Sequence, residues 1–91
     1  MPERVAGLTA NLGLVAEQRG QNELAIHRFS TALALADSLG TRHLAAQIRL
    51  WLAPLLPPVE GRLRLAEARA IAESSGRLRL LEEASRLEKT I

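Results

Sequence analysis

The chain has 91 residues, of which 47% are hydrophobic, 24% are charged and 2% are aromatic, with a formal net charge of +2 and no cysteine. This length limits it to one domain with a small core, because such a chain buries only about two-thirds of its unfolded surface. The lack of cysteine excludes disulfides and thiolate zinc sites, and no apolar run reaches the roughly 18 residues of a membrane span. The first four residues lack the layout of a secretory signal. We therefore expect a cytoplasmic protein.

The composition favours helix throughout. Leu and Ala together fill 33 of the 91 positions, and both are strong helix formers. The β-branched and aromatic residues that favour strands are scarce. The sequence therefore predicts an all-α fold.

Turn signals divide the chain into five helical segments. Pro2 suits the first turn of the first helix, which ends near Gly20 and carries apolar residues at three- and four-residue spacing, namely Val5, Leu8, Leu12 and Val15. Asn22 is a candidate cap for the second helix, which ends at Gly40. The apolar stripe of the second helix consists of Ile26, Phe29, Leu33 and Ala36.

The remaining three helices are separated by prolines and by Gly76. Thr41 is the candidate cap of the third helix, which Pro54 and then the prolines at 57–58 end. Its inward positions are Leu44, Ile48, Trp51, Leu52 and Leu55. The fourth helix runs from about Val59 to Ser75 with an apolar side at Leu65, Ala68 and Ala72. The fifth follows Gly76 with apolar residues at Leu80, Ala84, Leu87 and Ile91.

Loops of two to five residues make consecutive helices antiparallel. We therefore expect one domain, residues 1–91, with a first hairpin at 1–40, a second at 41–75 and a terminal helix at 76–91. Alanines on the facing sides allow helix axes to approach to about 8–9 Å.

The chain also contains a degenerate internal repeat. A shift of 36 residues places the segment 35–40 over 71–76, with Phe29 over Leu65 and Ala32 over Ala68. The preceding helices match less well, although Asn11 falls on Gln47. Repeats of this length are typical of helical-repeat proteins.

The first hairpin resembles the tetratricopeptide repeat (TPR) family in the spacing of its small and aromatic residues. The matching positions are Leu12, Gly13, Ala16, Gly20, Ala25, Phe29 and Ala32. The sequence departs from the family at Thr9, where a large aromatic is usual, at Ala16, where a tyrosine is usual, and at Asp37, where a proline is usual. Without that proline the second helix extends to Gly40, similar to the long-helix repeats of bacterial regulators and signalling ATPases. The resemblance implies hairpins stacked as a short right-handed α-solenoid.

Catalysis and cofactor binding are not expected. His27 and His43 lie on different helices, and neither has a second ligand at the four-residue spacing of a helical metal site. Glu82 and Glu83 point about 100° apart and cannot act on one bond. No phosphate-binding loop, dinucleotide motif or nucleophile elbow occurs, so we expect no cofactor, no metal and no enzymatic activity.

Nucleic-acid binding is the next alternative, because arginines recur in the C-terminal half. They form a discontinuous strip at Arg62, Arg69, Arg77, Arg79 and Arg86. Six glutamates are interspersed among them and weaken the positive field that phosphate binding requires. We therefore expect these residues to form solvated helix faces with pairs such as Arg69–Glu73.

Two functions remain. The first is a protein-interaction module, in which stacked hairpins hold a partner peptide or helix on a concave face lined by the first helix of each pair. By analogy with the first hairpin, that face contains Asn11, Leu14, Gln18, Gln47, Leu50 and Glu83. The second is a self-associating regulatory fragment of a larger transcriptional or signalling ATPase regulator, which forms a homodimer through the apolar side of the fifth helix. The alternative for that helix is a cap with its charged side in solvent.

Overall fold

The computed structural model describes residues 2–90, and that range is all-α, as predicted. Five α-helices follow one another and no strand occurs among these residues. The helices are α1 (Pro2–Gln18), α2 (Asn22–Leu39), α3 (Arg42–Leu52), α4 (Pro58–Ser75) and α5 (Leu78–Glu88). A short 3-10 turn, Ala53–Leu55, follows α3. The helices pack into a body of 29 × 26 × 19 Å.

Three of the helices end in the same way, at a glycine with left-handed backbone. Gly20, Gly40 and Gly76 have φ values of 75°, 70° and 67°, which residues with a Cβ rarely adopt. In each turn the next N–H bonds to the carbonyl four residues before the glycine, as in a Schellman motif. The N···O distance is 3.0 Å both for Thr41 to Ala36 and for its 36-residue equivalent, Arg77 to Ala72. The internal repeat is therefore present in the backbone.

The predicted side-chain caps are wrong. Asn22 is the first residue of α2, and Thr41 precedes α3 but makes no capping hydrogen bond. The preceding glycine turns leave only two or three residues between helices. The cap residues Gln21 and Thr41 consequently have ψ values of 67° and 79°, outside the extended conformation that aims a capping side chain at the helix.

Proline and glycine determine how α3 connects to α4. Pro54 has no N–H and would clash with the preceding turn of an α-helix, so α3 ends at Leu52 and a 3-10 turn continues to Leu55. Gly61 in the first turns of α4 packs directly on this segment. A Cβ at position 61 would lie 2.6 Å from the Ala53 carbonyl oxygen.

The first of two hydrophobic clusters joins α1 and α2 to α3. Phe29 is fully buried at its centre, its ring centroid 6.0 Å from that of the half-buried Trp51. Gly13 makes room for the ring, because a Cβ there would lie 2.7 Å from two Phe29 ring carbons. Phe29 thus lies between adjacent hairpins, as predicted, and Trp51 packs against the core. The other buried members are Ala10, Ala16, Ala25, Ala32, Leu33, Ala36, Ala45, Ile48 and Leu52.

The second cluster joins α3 to α4 and α5. Leu65, the repeat equivalent of Phe29, is 3% exposed. Its buried neighbours are Ala46, Leu50, Ala53, Ala68, Ala72, Leu80 and Ala84. Helix α3 contributes to both clusters, so it is the central element of the fold.

A buried arginine also connects the two halves. Arg49 of α3 donates two hydrogen bonds of 3.0 Å to the carboxylate of Asp37 on α2 and one of 3.3 Å to Glu67 on α4. Glu67 also pairs with Arg64 at 2.6 Å. Burial opposes the charge of Arg49, but these bonds and charges outweigh it and raise the Arg49 pKa above its ordinary value.

The buried face of α1 does not contain its apolar stripe. Ala6, Ala10, Gly13 and Ala16 are buried. The large residues of the stripe are exposed instead, by 52% for Val5, 63% for Leu8, 51% for Leu12 and 43% for Val15. The small residues allow α1 to lie close to α2, which turns the larger residues outward.

Helix α5 packs its apolar side against α3 and α4, so the expectation that this side is exposed is wrong. Leu80 and Ala84 are 2% and 0% exposed, and Leu87 packs against the second cluster. Ile91 lies outside the described residues. The chain folds α5 back onto α3 and α4, which removes this surface from solvent.

Candidate interaction surface

Helices α1, α3 and α5 alternate with α2 and α4, and α3 contacts both α1 and α5. The six predicted partner-binding residues all lie on these three helices. Asn11 and Gln18 are exposed on α1. Leu14 between them is half-buried and packs against the first cluster. The α1 part of the predicted surface is therefore accessible mainly through its two amides.

The structure brings Gln47 and Glu83 together. The Gln47 amide nitrogen on α3 donates to the two carboxylate oxygens of Glu83 on α5 at 3.3 and 3.5 Å. These residues are 36 positions apart and both are half-buried. Their hydrogen bond connects α3 to α5 as part of the fold.

Leu50 does not belong to the surface. It is 1% exposed and lies in the second cluster. The analogy with the first hairpin failed at this position because α5 covers that side of α3. A partner cannot reach the Leu50 side chain while the domain is folded.

A groove opens between the N-terminal halves of α3 and α5. It has a volume of about 430 Å³ and includes two arginines and one histidine but no acidic side chain in its lining. The lining residues are His43, Gln47, Gly76, Arg77, Leu78, Arg79 and Leu80. Gln47 lines the groove and hydrogen-bonds to Glu83, which lies one helical turn beyond Arg79 on α5.

The two arginines and the histidine of this groove are exposed. His43, Arg77 and Arg79 make no side-chain hydrogen bond or ion pair within residues 2–90. The N-terminal ends of α3 and α5 add partial positive charge at the same end of the groove. Leu78, which is 72% exposed, adds an apolar contact at the rim.

The turns on either side of this groove are fixed. The Arg42 guanidinium donates a hydrogen bond to the Ser74 hydroxyl, which connects the start of α3 to the end of α4. Ser74 in turn donates to the Ile71 carbonyl at 3.0 Å. The start of α3 is thereby held against the end of α4.

The far end of α5 is held by a second arginine. Arg69 on α4 donates to Glu88 on α5 and, at 3.0 Å, to Glu73 one turn away. The hydrogen bonds that Arg69 donates to Glu88 and Glu73 raise the pKa of Arg69. The predicted Arg69–Glu73 pair is confirmed, and Arg69 is engaged within the domain.

The two histidines lie on different surfaces. His43 lines the groove, whereas His27 is exposed on α2, where its carbonyl accepts a hydrogen bond from Thr31. No cluster of three or more potential metal ligands occurs in the described part of the chain. Among the same residues no helix combines the length and apolar character needed to cross a membrane.

Sequence reasoning missed His43, Arg77 and Arg79 as members of one surface. The signal was available in the 36-residue shift, which places His43 over Arg79 just as it places Gln47 over Glu83. Arg77 was considered only as part of a linear arginine strip. The fold separates that strip, because Arg69 faces Glu88 whereas Arg77 and Arg79 face the groove.

No family model, curated protein or solved structure matches this chain.

Proposed function

We propose that this protein is a non-catalytic, cytoplasmic protein-interaction module of the TPR type, and that it holds an acidic peptide or helix of a partner in the groove between α3 and α5. The observation that carries the proposal is the basic lining of this groove, in which the guanidinium groups of Arg77 and Arg79 and the imidazole of His43 make no ion pair within residues 2–90. Complementary charge accelerates encounter and selects among partners.

The groove also offers what a peptide needs besides charge. Leu78 is exposed at the rim, so an apolar partner residue has a place to pack beside the arginines. The two helices that form the walls are joined by the hydrogen bonds from Gln47 to Glu83, and the start of α3 is bonded to α4 through Arg42 and Ser74. A rigid site loses less conformational entropy when it binds.

The matched repeat turns support the TPR assignment within this proposal. The equivalent glycine turns after α2 and α4, and the equivalent positions of Phe29 and Leu65 in the two clusters, agree with stacked hairpins. On this assignment the chain forms a short right-handed solenoid with α5 as its terminal cap.

The experiment compares two labelled peptides of the same length, one rich in glutamate with two leucines and one with each glutamate replaced by lysine. Fluorescence anisotropy measures their affinity for the intact chain. We expect only the acidic peptide to bind, and we expect binding to weaken with added salt because the groove is exposed. Equal binding of the lysine peptide would contradict the charge assignment.

A matched pair of variants locates the site. Arg77→Glu/Arg79→Glu reverses the charge of the groove, and Arg19→Glu/Arg28→Glu makes the same charge change at exposed positions outside it. We expect the groove variant to lower the affinity about tenfold or more, which corresponds to about 1.4 kcal/mol. The control variant should retain most of the affinity. Equal losses in both variants would mean that net charge, rather than the groove, attracts the peptide.

Self-association is the second candidate function, and the exposed stripe on α1 favours it. A contiguous apolar patch on the surface of a domain often marks an interaction site. This function suits a regulatory segment whose contacts are made or blocked by assembly, as in transcriptional or signalling ATPase regulators.

A further inference from the structure

The stripe on α1, defined as Val5, Leu8, Leu12 and Val15, has the spacing of a coiled-coil seam. Its members follow one another at intervals of three, four and three residues, which is the a/d pattern of a two-helix coiled coil. Each of the four is between 43% and 63% exposed. The seam spans about 15 Å along the helix.

The seam is not used by the fold. Helix α1 packs on α2 through the opposite, small-residue side that contains Ala6, Ala10 and Gly13. No contact of α1 with α4 or α5 is comparable with its contact with α2. The seam therefore lies at the outer edge of the helix row, where another helix can approach it.

The residues beside the seam favour a second copy of the same helix in the antiparallel direction. Leu8 would meet the partner's Leu12, and Val5 would meet the partner's Val15. On the exposed flank, Asn11 would face the partner's Asn11, and Arg4 would face the partner's Gln18. No like charges meet in this register, two amides pair with each other, and the helix dipoles are opposed.

We propose that a second copy of this chain covers the α1 seam through an antiparallel two-fold contact centred level with Ala10. The contact gives the second candidate function a defined surface and rests on it, but it is independent of the groove between α3 and α5. Each copy offers only four partly exposed apolar side chains to the contact. We therefore expect it to bury less than the roughly 800 Å² per partner of a standard interface. The dimer is therefore weak and forms at high protein concentration.

Sedimentation velocity over a concentration series is the first test. We expect the intact chain to change from monomer to dimer between about 10 µM and about 1 mM, the range of a small interface. The seam variant Leu8→Glu/Leu12→Glu should stay monomeric throughout, with an unchanged helical circular dichroism spectrum because both residues are exposed. The control Leu63→Glu changes a residue of similar exposure, 53%, on α4 and should dimerise as the intact chain does.

Site-specific cross-linking tests the direction of the contact without depending on the seam variant. The chain has no cysteine, so Asn11→Cys and Gln18→Cys each introduce one. In the antiparallel register the two thiols introduced at position 11 face each other, whereas two positions 18 are about 21 Å apart along the helices. We expect a short bismaleimide to cross-link Asn11→Cys efficiently and Gln18→Cys at least tenfold less.

Three results would overturn the proposal. They are a monomer at about 1 mM, a dimer that the seam variant does not weaken, and cross-linking that favours position 18 over position 11. The first would mean that a different occupant covers α1, and the third would mean a parallel contact. The Arg77→Glu/Arg79→Glu variant should dimerise normally while it loses acidic-peptide binding. Failure of the groove function and failure of the α1 contact are thereby distinguished.

Discussion

The first and last helices of this protein differ in whether their stripes of large apolar residues are buried. Helix α1 buries Ala6 and Ala10 and exposes large apolar residues such as Leu8, whereas α5 buries Leu80 and keeps Arg86 in solvent. Helix α5 thus packs on its neighbours through its apolar face. In α1 the face with the large apolar residues is left exposed. One end of the helix row is closed and the other is open.

Helix packing in this protein depends on the fit between side chains as well as on hydrophobicity. Small residues on α1 let its backbone approach Phe29 of α2 closely, with Gly13 opposite the ring. This close packing would be lost if α1 rotated to bury its leucines. Helix α5 has no such small-residue face, so it covers α3 and α4 with its leucines in the ordinary amphipathic manner.

The largest expected effect is at Phe29. Phe29→Ala would leave a cavity at the centre of the first cluster and should lower the free energy of unfolding by about 3–5 kcal/mol. Thr9→Ala, at a half-buried position whose hydroxyl bonds only to the Val5 carbonyl, should change it by less than about 0.5 kcal/mol. Urea denaturation monitored by circular dichroism measures both. The reverse order would mean that Phe29 is not the centre of the hairpin contact.

The same substitution at the two ends tests the comparison directly. Leu80→Ala in the buried face of α5 should cost about 2–4 kcal/mol, whereas Leu8→Ala on the exposed face of α1 should cost less than about 0.5 kcal/mol. Thermal unfolding at low protein concentration, where the chain is monomeric, gives both values. Similar costs at the two positions would show that the α1 seam is buried within the monomer.

Substitutions at two glycines of α1 distinguish the effect of close packing on stability from the effect of helix propensity. Gly13→Ala should destabilise the protein by about 1–3 kcal/mol, because the added Cβ would overlap the Phe29 ring. Gly7→Ala adds a methyl group where no atom lies within 4 Å, so the gain in helix propensity should stabilise by up to about 1 kcal/mol. Denaturation midpoints report the signs. A stabilising Gly13→Ala would contradict the close α1–α2 contact.

The smallest expected effect concerns two ion pairs of the helices between α1 and α5. Asp37→Asn removes charge from the carboxylate that Arg49 holds with two bonds, and should cost about 1 kcal/mol after allowance for the half-exposed Asp37 side chain. Glu73→Gln changes an exposed pair within α4 and should cost about 0.2–0.5 kcal/mol. Chemical denaturation in low and high salt measures the difference. Equal costs would show that burial of Arg49 adds nothing to its pair.

Much of the local structure was predictable because its signals lie close together along the chain. The glycines at 40 and 76 predicted both helix ends, and the 36-residue shift predicted that Phe29 and Leu65 occupy equivalent buried positions. Asn22 and Thr41 do not act as caps, because the backbone conformation after each glycine turn does not direct a side chain at the start of the helix. Partner-binding residues were harder to predict: Leu50 is covered by α5, and Gln47 is bonded to Glu83.

The helical class, the number of helices and the turns between them follow from the sequence, because helix propensity, proline and glycine act within a few residues. Which face of each helix is buried depends instead on how the helices pack together. For α1 that choice depends on the space between Gly13 and Phe29, and for α5 on the sides of α3 and α4 that α2 leaves uncovered. The gathering of His43, Arg77 and Arg79 at one groove has the same origin, since residues far apart in the chain meet only once the helices have packed.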